Sequence, residues 1–182
     1  EAADEPYDLI LVGKPTDWSG MGGAAFASAT LDAEQAMENK GSVQTPDPFL
    51  KRILTVSNLA VLEMAREEGV TIGFKDLGAG GVSCVTSELA DAGGFGCDVD
   101  VQLVHQIADL PARVCACSET QERYGLAVPT RLTEKVLKIY NEEELESMPY
   151  IGGILRQYRG PGKGIVVASG MNPDNETYTV TF

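Results

Sequence analysis

From residue 7 to residue 13 the chain runs Y-D-L-I-L-V-G, an apolar stretch that reads as a strand ending at Gly13. A glycine-rich loop follows over 14–23, and residues 31–45 turn polar and acidic, as a surface loop or a frayed helix would. The clearest period comes next. Phe49, Ile53, Ala60 and Met64 recur at helical spacing, with Leu50, Leu54, Val61 and Leu62 widening the stripe, which predicts a helix over 47–68. Asp47 is placed to cap it, Pro48 suits its first turn, and Gly69 closes it. Residues 70–75 read as a short strand ending at Asp76, and L-G-A-G-G leads into a second helix at about 82–91. Asp98 and Asp100 alternate with Val99, Val101 and Leu103, the pattern of a half-buried strand over 97–104.

Residues 124–128 read as another strand, and Thr133 as the cap of a helix with Val136, Leu137 and Ile139 facing inward. Glu142, Glu143, Glu144 and Glu146 then read as a solvated helix end. Three strands follow, over 150–158, 164–168 and 176–182, with G-P-G-K-G at 160–164 as a tight turn between the first two. Helices and strands alternate, yet several strands are joined by short turns. The expected fold is α/β with a mixed sheet, one domain over residues 1–182.

Composition narrows the function classes. A chain of 182 residues with 43% hydrophobic and 23% charged residues is sized and balanced for one globular domain. Its formal net charge of −13 argues against nucleic acid, whose phosphates it would repel. A phosphorylated small molecule stays compatible, because backbone N–H groups and a bound cation can hold it locally. No stretch approaches the roughly 20 apolar residues of a membrane helix, and residues 1–8 are acidic, unlike a signal peptide, so a soluble cytoplasmic protein without membrane contact is expected. The four cysteines and the single His105 are too few and too badly spaced for a zinc site. Cys115 and Cys117, in C-A-C, read as buried free thiols on a strand.

Three segments carry candidate chemistry, each with a plainer alternative. Gln44, in Q-T-P-D-P-F over 44–49, can donate and accept hydrogen bonds to an amide or a sugar hydroxyl, but spacing alone favours an ordinary loop residue. Asp76 ends a strand directly before L-G-A-G-G, where a carboxylate suits Mg²⁺. Gly78, Gly80 and Gly81 would let backbone N–H groups approach an anion near the start of the next helix. A tight turn capped by its own aspartate reads equally well. The stretch is neither a dinucleotide fingerprint nor a phosphate loop of the Walker kind. S-E-T-Q-E-R at 118–123 is a polar interruption between two strand-like stretches, facing a cleft or forming a solvated turn. The glycines of the loop at 13–23 could cradle an anion and Trp18 could stack on a ligand, but a close crossing with Trp18 over the core edge is the favoured reading.

The order of these segments is more specific than any one of them. Q-x-x-D-P-F, then D-L-G-A-G-G, then S-E-T-Q-E-R, preceded by V-G-K-P-T-D-W-S-G-M-G-G-A-A-F-A-S at 12–28, resembles the phosphoribosylformylglycinamidine synthase family, synthetase subunit. The resemblance covers about residues 11–128. It implies the first C-terminal-type domain of a larger tandem synthetase related to aminoimidazole ribonucleotide synthetase, with a three-layer α/β/α, partly ferredoxin-like fold. It implies ATP-dependent conversion of formylglycinamide ribonucleotide to its amidine, with Mg²⁺ and ATP as cofactors. The implied partners are the remaining synthetase domains, a glutaminase subunit and a small accessory subunit. By matching position, Asp76 resembles a magnesium ligand, and Gln44, Glu119, Thr120 and Gln121 resemble substrate contacts. His105 matches neither of the family's catalytic histidines, so no catalytic residue is expected here, ATP is expected mainly on other domains, and this chain alone is expected to be inactive. The run Thr16-Asp17-Trp18-Ser19 departs from the family, which usually has glycine after that threonine and arginine before its aspartate. The competing reading is a non-catalytic or kinase-like relative that uses the fold on another phosphorylated ligand.

Overall fold

The computed structural model describes residues 5–23, 46–107, 109–141, 164–171 and 178–181. Along the chain run β1 (Tyr7–Gly13), α1 (Pro48–Glu68), β2 (Gly73–Asp76), α2 (Gly81–Gly93), β3 (Cys97–Asp100), α3 (Ala112–Cys117), β4 (Arg123–Pro129), α4 (Thr133–Asn141), β5 (Gly164–Met171) and β6 (Tyr178–Thr181). β1 is an inner strand of a four-stranded sheet ordered β2-β4-β1-β5. Residues 7–12 are all buried, which is why the run is apolar rather than alternating.

Alternation reappears in where the side chains go. Leu9, Leu11 and Ala127 face a core shared with Val82, Val85 and Leu89 of α2 and with Cys115 and Ala116 of α3. Ile10, Val12, Leu126 and Val128 face the opposite core, built with Leu50, Leu54, Val61 and Met64 of α1 and Val136 and Ile139 of α4. Helices therefore cover both faces, and the three-layer α/β/α arrangement holds. The mixed sheet resolves into two: every pair in the four-stranded sheet is antiparallel, while the parallel pairing lies between β3 and β6 in a separate two-stranded sheet.

Local chemistry moves several element boundaries. α1 has the expected ends, with the Asp47 side chain accepting from the Leu50 N–H at 2.9 Å and Gly69 left-handed at φ 65°. The Val70 N–H is spent on the Ala65 carbonyl at 3.0 Å, and β2 forms only from Gly73. The strand expected over 97–104 stops at Asp100, whose side chain accepts from the Gln102 N–H and turns residues 101–103 into a 3₁₀ turn. Thr133 does not cap its own helix; its hydroxyl donates to the buried Asp8 carboxylate at 2.6 Å. Cys115 and Cys117 lie on the helix α3, not on a strand, and Cys117 is exposed. The 31–45 segment, the acidic run at 142–146 and the 150–158 strand lie outside the described residues. No helix among the described residues is long and apolar enough to cross a membrane.

Candidate functional site

Antiparallel pairing of β2 with β4 sets Asp76 beside Tyr124, and the following Leu77 N–H donates to the Arg123 carbonyl at 3.2 Å. The end of β2 and the S-E-T-Q-E-R stretch are thus neighbours. Gly81 presses the next part of the loop onto the same stretch. Its φ is 56°, and a Cβ there would stand 2.4 Å from the Ser118 carbonyl oxygen, a place only glycine fills without displacement. The Gly81 N–H itself donates to the Gly78 carbonyl at 3.1 Å.

The 13–23 loop closes on residues 118–123 from the other side. A Cβ on Gly13 would fall 2.1 Å from the Glu122 carbonyl, which receives the Lys14 N–H at 3.1 Å. The Asp17 N–H donates to Thr120 Oγ1 at 3.1 Å, and that hydroxyl donates to Asp17 Oδ1 at 2.9 Å. Ser118 Oγ donates to the Asp17 carbonyl at 2.8 Å. Beneath this knot Arg123 is buried and splays its guanidinium onto the Thr120 carbonyl at 3.0 Å, Thr16 Oγ1 at 2.8 Å and the Ser118 carbonyl. The loop braces residues 118–123 through these contacts, while Trp18 stays exposed.

The electrostatics follow from burial. Desolvation alone would push the Asp17 carboxyl up, but the Ser19 and Thr120 hydroxyls, the Ser19 amide and Lys14 outweigh it and hold that carboxyl below its usual range. Burial pulls the Arg123 guanidinium down to about 10, with the charge of Asp17 opposing. It remains protonated at neutral pH, and no carboxylate among the described residues forms a salt bridge with it.

The expected site residues divide. Glu119 and Thr120 are buried, Gln121 is half-buried, and all three lie on the braced stretch. Asp76 and Gly78 are exposed at the mouth of the β2 loop, and Gly80 is left-handed at φ 76°. Gln44 lies outside the described residues. The helix that its motif leads into still reaches the site, since Lys51 Nζ stands 3.4 Å from Glu122 Oε2. Asp17, Arg123 and the Lys51–Glu122 pair escaped the sequence reading. Each has a decisive partner far along the chain: Asp17 with Thr120, Arg123 with Thr16, and Lys51 with Glu122. Among the described residues no group of three or more His, Cys, Asp or Glu side chains is placed to hold a metal ion. Asp76 fits Mg²⁺ as a single exposed carboxylate, the kind of protein ligand that leaves the other positions to water and phosphate.

The site thus lies on a sheet covered by helices on both faces, with glycine loops gathered at one end of β2 and β4. Residues 5–159 match the family described as AIR synthase related protein, C-terminal domain, and the chain belongs to that family. It is 49% identical over 142 residues to phosphoribosylformylglycinamidine synthase subunit PurL of Methanothrix thermoacetophila, covering 78% of this chain and 18% of the relative. The PurL of Methanopyrus kandleri is 39% identical over 147 residues, with 80% of this chain and 20% of the relative covered. Among solved structures, T. maritima PurL complexed with FGAR superposes with a TM-score of 0.73 at 28% identity, over 100% of this chain and 26% of that one. The chain spans about a fifth of the length of the curated relatives it matches.

Proposed function

We propose that this chain is the first C-terminal-type domain of a phosphoribosylformylglycinamidine synthase, and that it supplies substrate and magnesium contacts for de novo purine biosynthesis. The observation that carries this reading is the convergence of the glycine loop after Asp76 and the 13–23 loop on residues 118–123. The similarity to PurL proteins gives that convergence its chemistry. The reaction is ATP-dependent conversion of formylglycinamide ribonucleotide to the amidine, a C–N ligation using ammonia from a glutaminase. ATP binds mainly to other domains of the synthetase. Those domains, the glutaminase subunit and a small accessory subunit are the partners, and the setting is the cytoplasm.

Within that reading each residue has a limited task. Glu119 and Gln121 present their side chains to the substrate, as does Gln44 from the loop ahead of α1. Thr120 contributes through its main chain, because its hydroxyl is already committed to Asp17. Asp76 would hold a Mg²⁺, which supplies neutralisation of phosphoryl charge when bound. Gly78 and Gly80 keep the loop beside it free of side chains, and Gly81 holds that loop against Ser118. The expected effect of Gln44→Ala and Gln121→Ala in the complete synthetase is weaker substrate binding by about 1–3 kcal/mol each, with ATP affinity unchanged. Substrate titrations in which both variants bind like the parent would overturn the assignment.

A further inference from the structure

Glu122 combines two unfavourable features at one position. It is the only non-glycine residue with positive φ among the described residues, at 58°, a conformation L side chains rarely adopt. Its side chain is only 8% exposed, and Oε2 is buried without a hydrogen bond. Lys51 Nζ stands 3.4 Å from that oxygen, a charge pair without hydrogen-bond alignment, and lies 4.8 Å above the Tyr124 ring centroid. Tyr124 in turn stacks on Phe74 of β2 at 5.1 Å. Glycine at position 122 would remove both the strained backbone and the poorly satisfied carboxylate. Strain of this kind persists where the surroundings over-determine it, and here the surroundings are the first turn of α1 on one side and Gly13 on the other.

We propose that Glu122 is a positioning residue that, paired with Lys51, fixes residues 119–121 relative to the start of α1. The inference rests on the reading of residues 119–121 as substrate-facing. The pair joins the helix entered through Q-x-x-D-P-F to the end of S-E-T-Q-E-R, so two segments distant in sequence keep one spacing. Neither side chain touches substrate in this proposal; they act through the main chain of Gln121 and its neighbours.

The test is carried out in the complete synthetase, with thermal stability, kcat and KM for formylglycinamide ribonucleotide measured on each variant. Glu122→Gly should raise Tm by relieving strain, yet raise KM about tenfold with kcat little changed, a loss matching one misaligned polar contact. Lys51→Met should raise KM to a similar extent, Lys51→Arg should largely restore it, and the Lys51→Met/Glu122→Gln double variant should cost no more than Lys51→Met alone. Gln121→Ala is run beside them. If it raises KM while Glu122→Gly and Lys51→Met leave KM unchanged, the positioning role is overturned and the substrate assignment stands. If Gln121→Ala also leaves KM unchanged, the assignment falls and takes this inference with it. A lower Tm for Glu122→Gly would overturn the strain account.

Discussion

Asp76 and Asp17 show how differently two loop carboxylates can be employed. Asp76 is exposed and ends an edge strand, whereas Asp17 is bonded to Ser19 and Thr120. Replacing Asp76 with asparagine keeps the shape and removes the charge, so stability should move by only about 1 kcal/mol. Turnover in the complete synthetase should fall much further and recover partly as Mg²⁺ is raised. A preparation that melts early but turns over normally per folded molecule would end the magnesium reading. Asp17 makes a different forecast. Its folded carboxyl titrates below the usual range, so it contributes stability that is present above the unfolded pKa and lost as pH falls through the folded one. Asp17→Asn should therefore lower Tm at neutral pH, and the gap from the parent should shrink from about pH 4 downward. A gap independent of pH would show that the carboxylate's charge is irrelevant there. The place of Asp76 at a strand end was legible in the sequence because the signal is local: an apolar run, then glycines. Asp17 was not, because what makes it matter is Thr120, and nothing in T-D-W-S points to a partner 103 residues away.

Elements were legible where one periodicity or one cap decides them. α1 matches its Asp47 cap, its Gly69 terminus and most of its apolar stripe, except that Leu62, expected on the stripe, is exposed because it lies off the face that carries Leu54, Val61 and Met64. The reading failed where a side chain competes with the backbone pattern, as Asp100 does in ending β3 and Asp8 does in drawing the Thr133 hydroxyl away from α4. Cys115 and Cys117 were misplaced because so short an apolar run does not distinguish a buried helix from a strand. Helix ends also give a controlled comparison. Gly69 and Gly81 share left-handed backbones, at φ 65° and 56°, but a Cβ on Gly69 meets nothing within 4 Å while one on Gly81 meets the Ser118 carbonyl. Gly69→Ala should cost about 1 kcal/mol from conformation alone. Gly81→Ala should cost clearly more, because backbone has to move, and it should also weaken substrate binding by shifting residue 118. Equal Tm losses for the two variants, measured by thermal denaturation, would show that the Gly81 contact relaxes freely.

At the scale of the whole molecule, motif order was visible along the chain but motif convergence was not. The strand order β2-β4-β1-β5 brings Asp76 beside Tyr124 and Gly13 beside Arg123, and antiparallel registers of this kind depend on partners that no local window contains. These registers assemble the surface on which the candidate site lies. Among the described residues its loops offer the exposed carboxylate of Asp76 and a braced polar stretch, and D-L-G-A-G-G has neither phosphate-loop nor dinucleotide spacing. The single histidine, His105, is tied by its carbonyl to the Thr16 N–H at 2.8 Å, and burial depresses its imidazole below the usual range. Relatives are about five times longer than the matched region. The 182-residue chain should therefore fold, since it has a core on each face of its sheet, yet neither hydrolyse ATP nor form the amidine. The purified chain is to be supplied with ATP, Mg²⁺, formylglycinamide ribonucleotide and ammonia, while circular dichroism follows cooperative unfolding of the same sample. Cooperative melting with phosphate release at the buffer rate is the expected pair of results. Phosphate release above that rate, abolished by Asp76→Asn, would mean that the chain holds a complete active site and that the assignment of ATP to other domains is wrong.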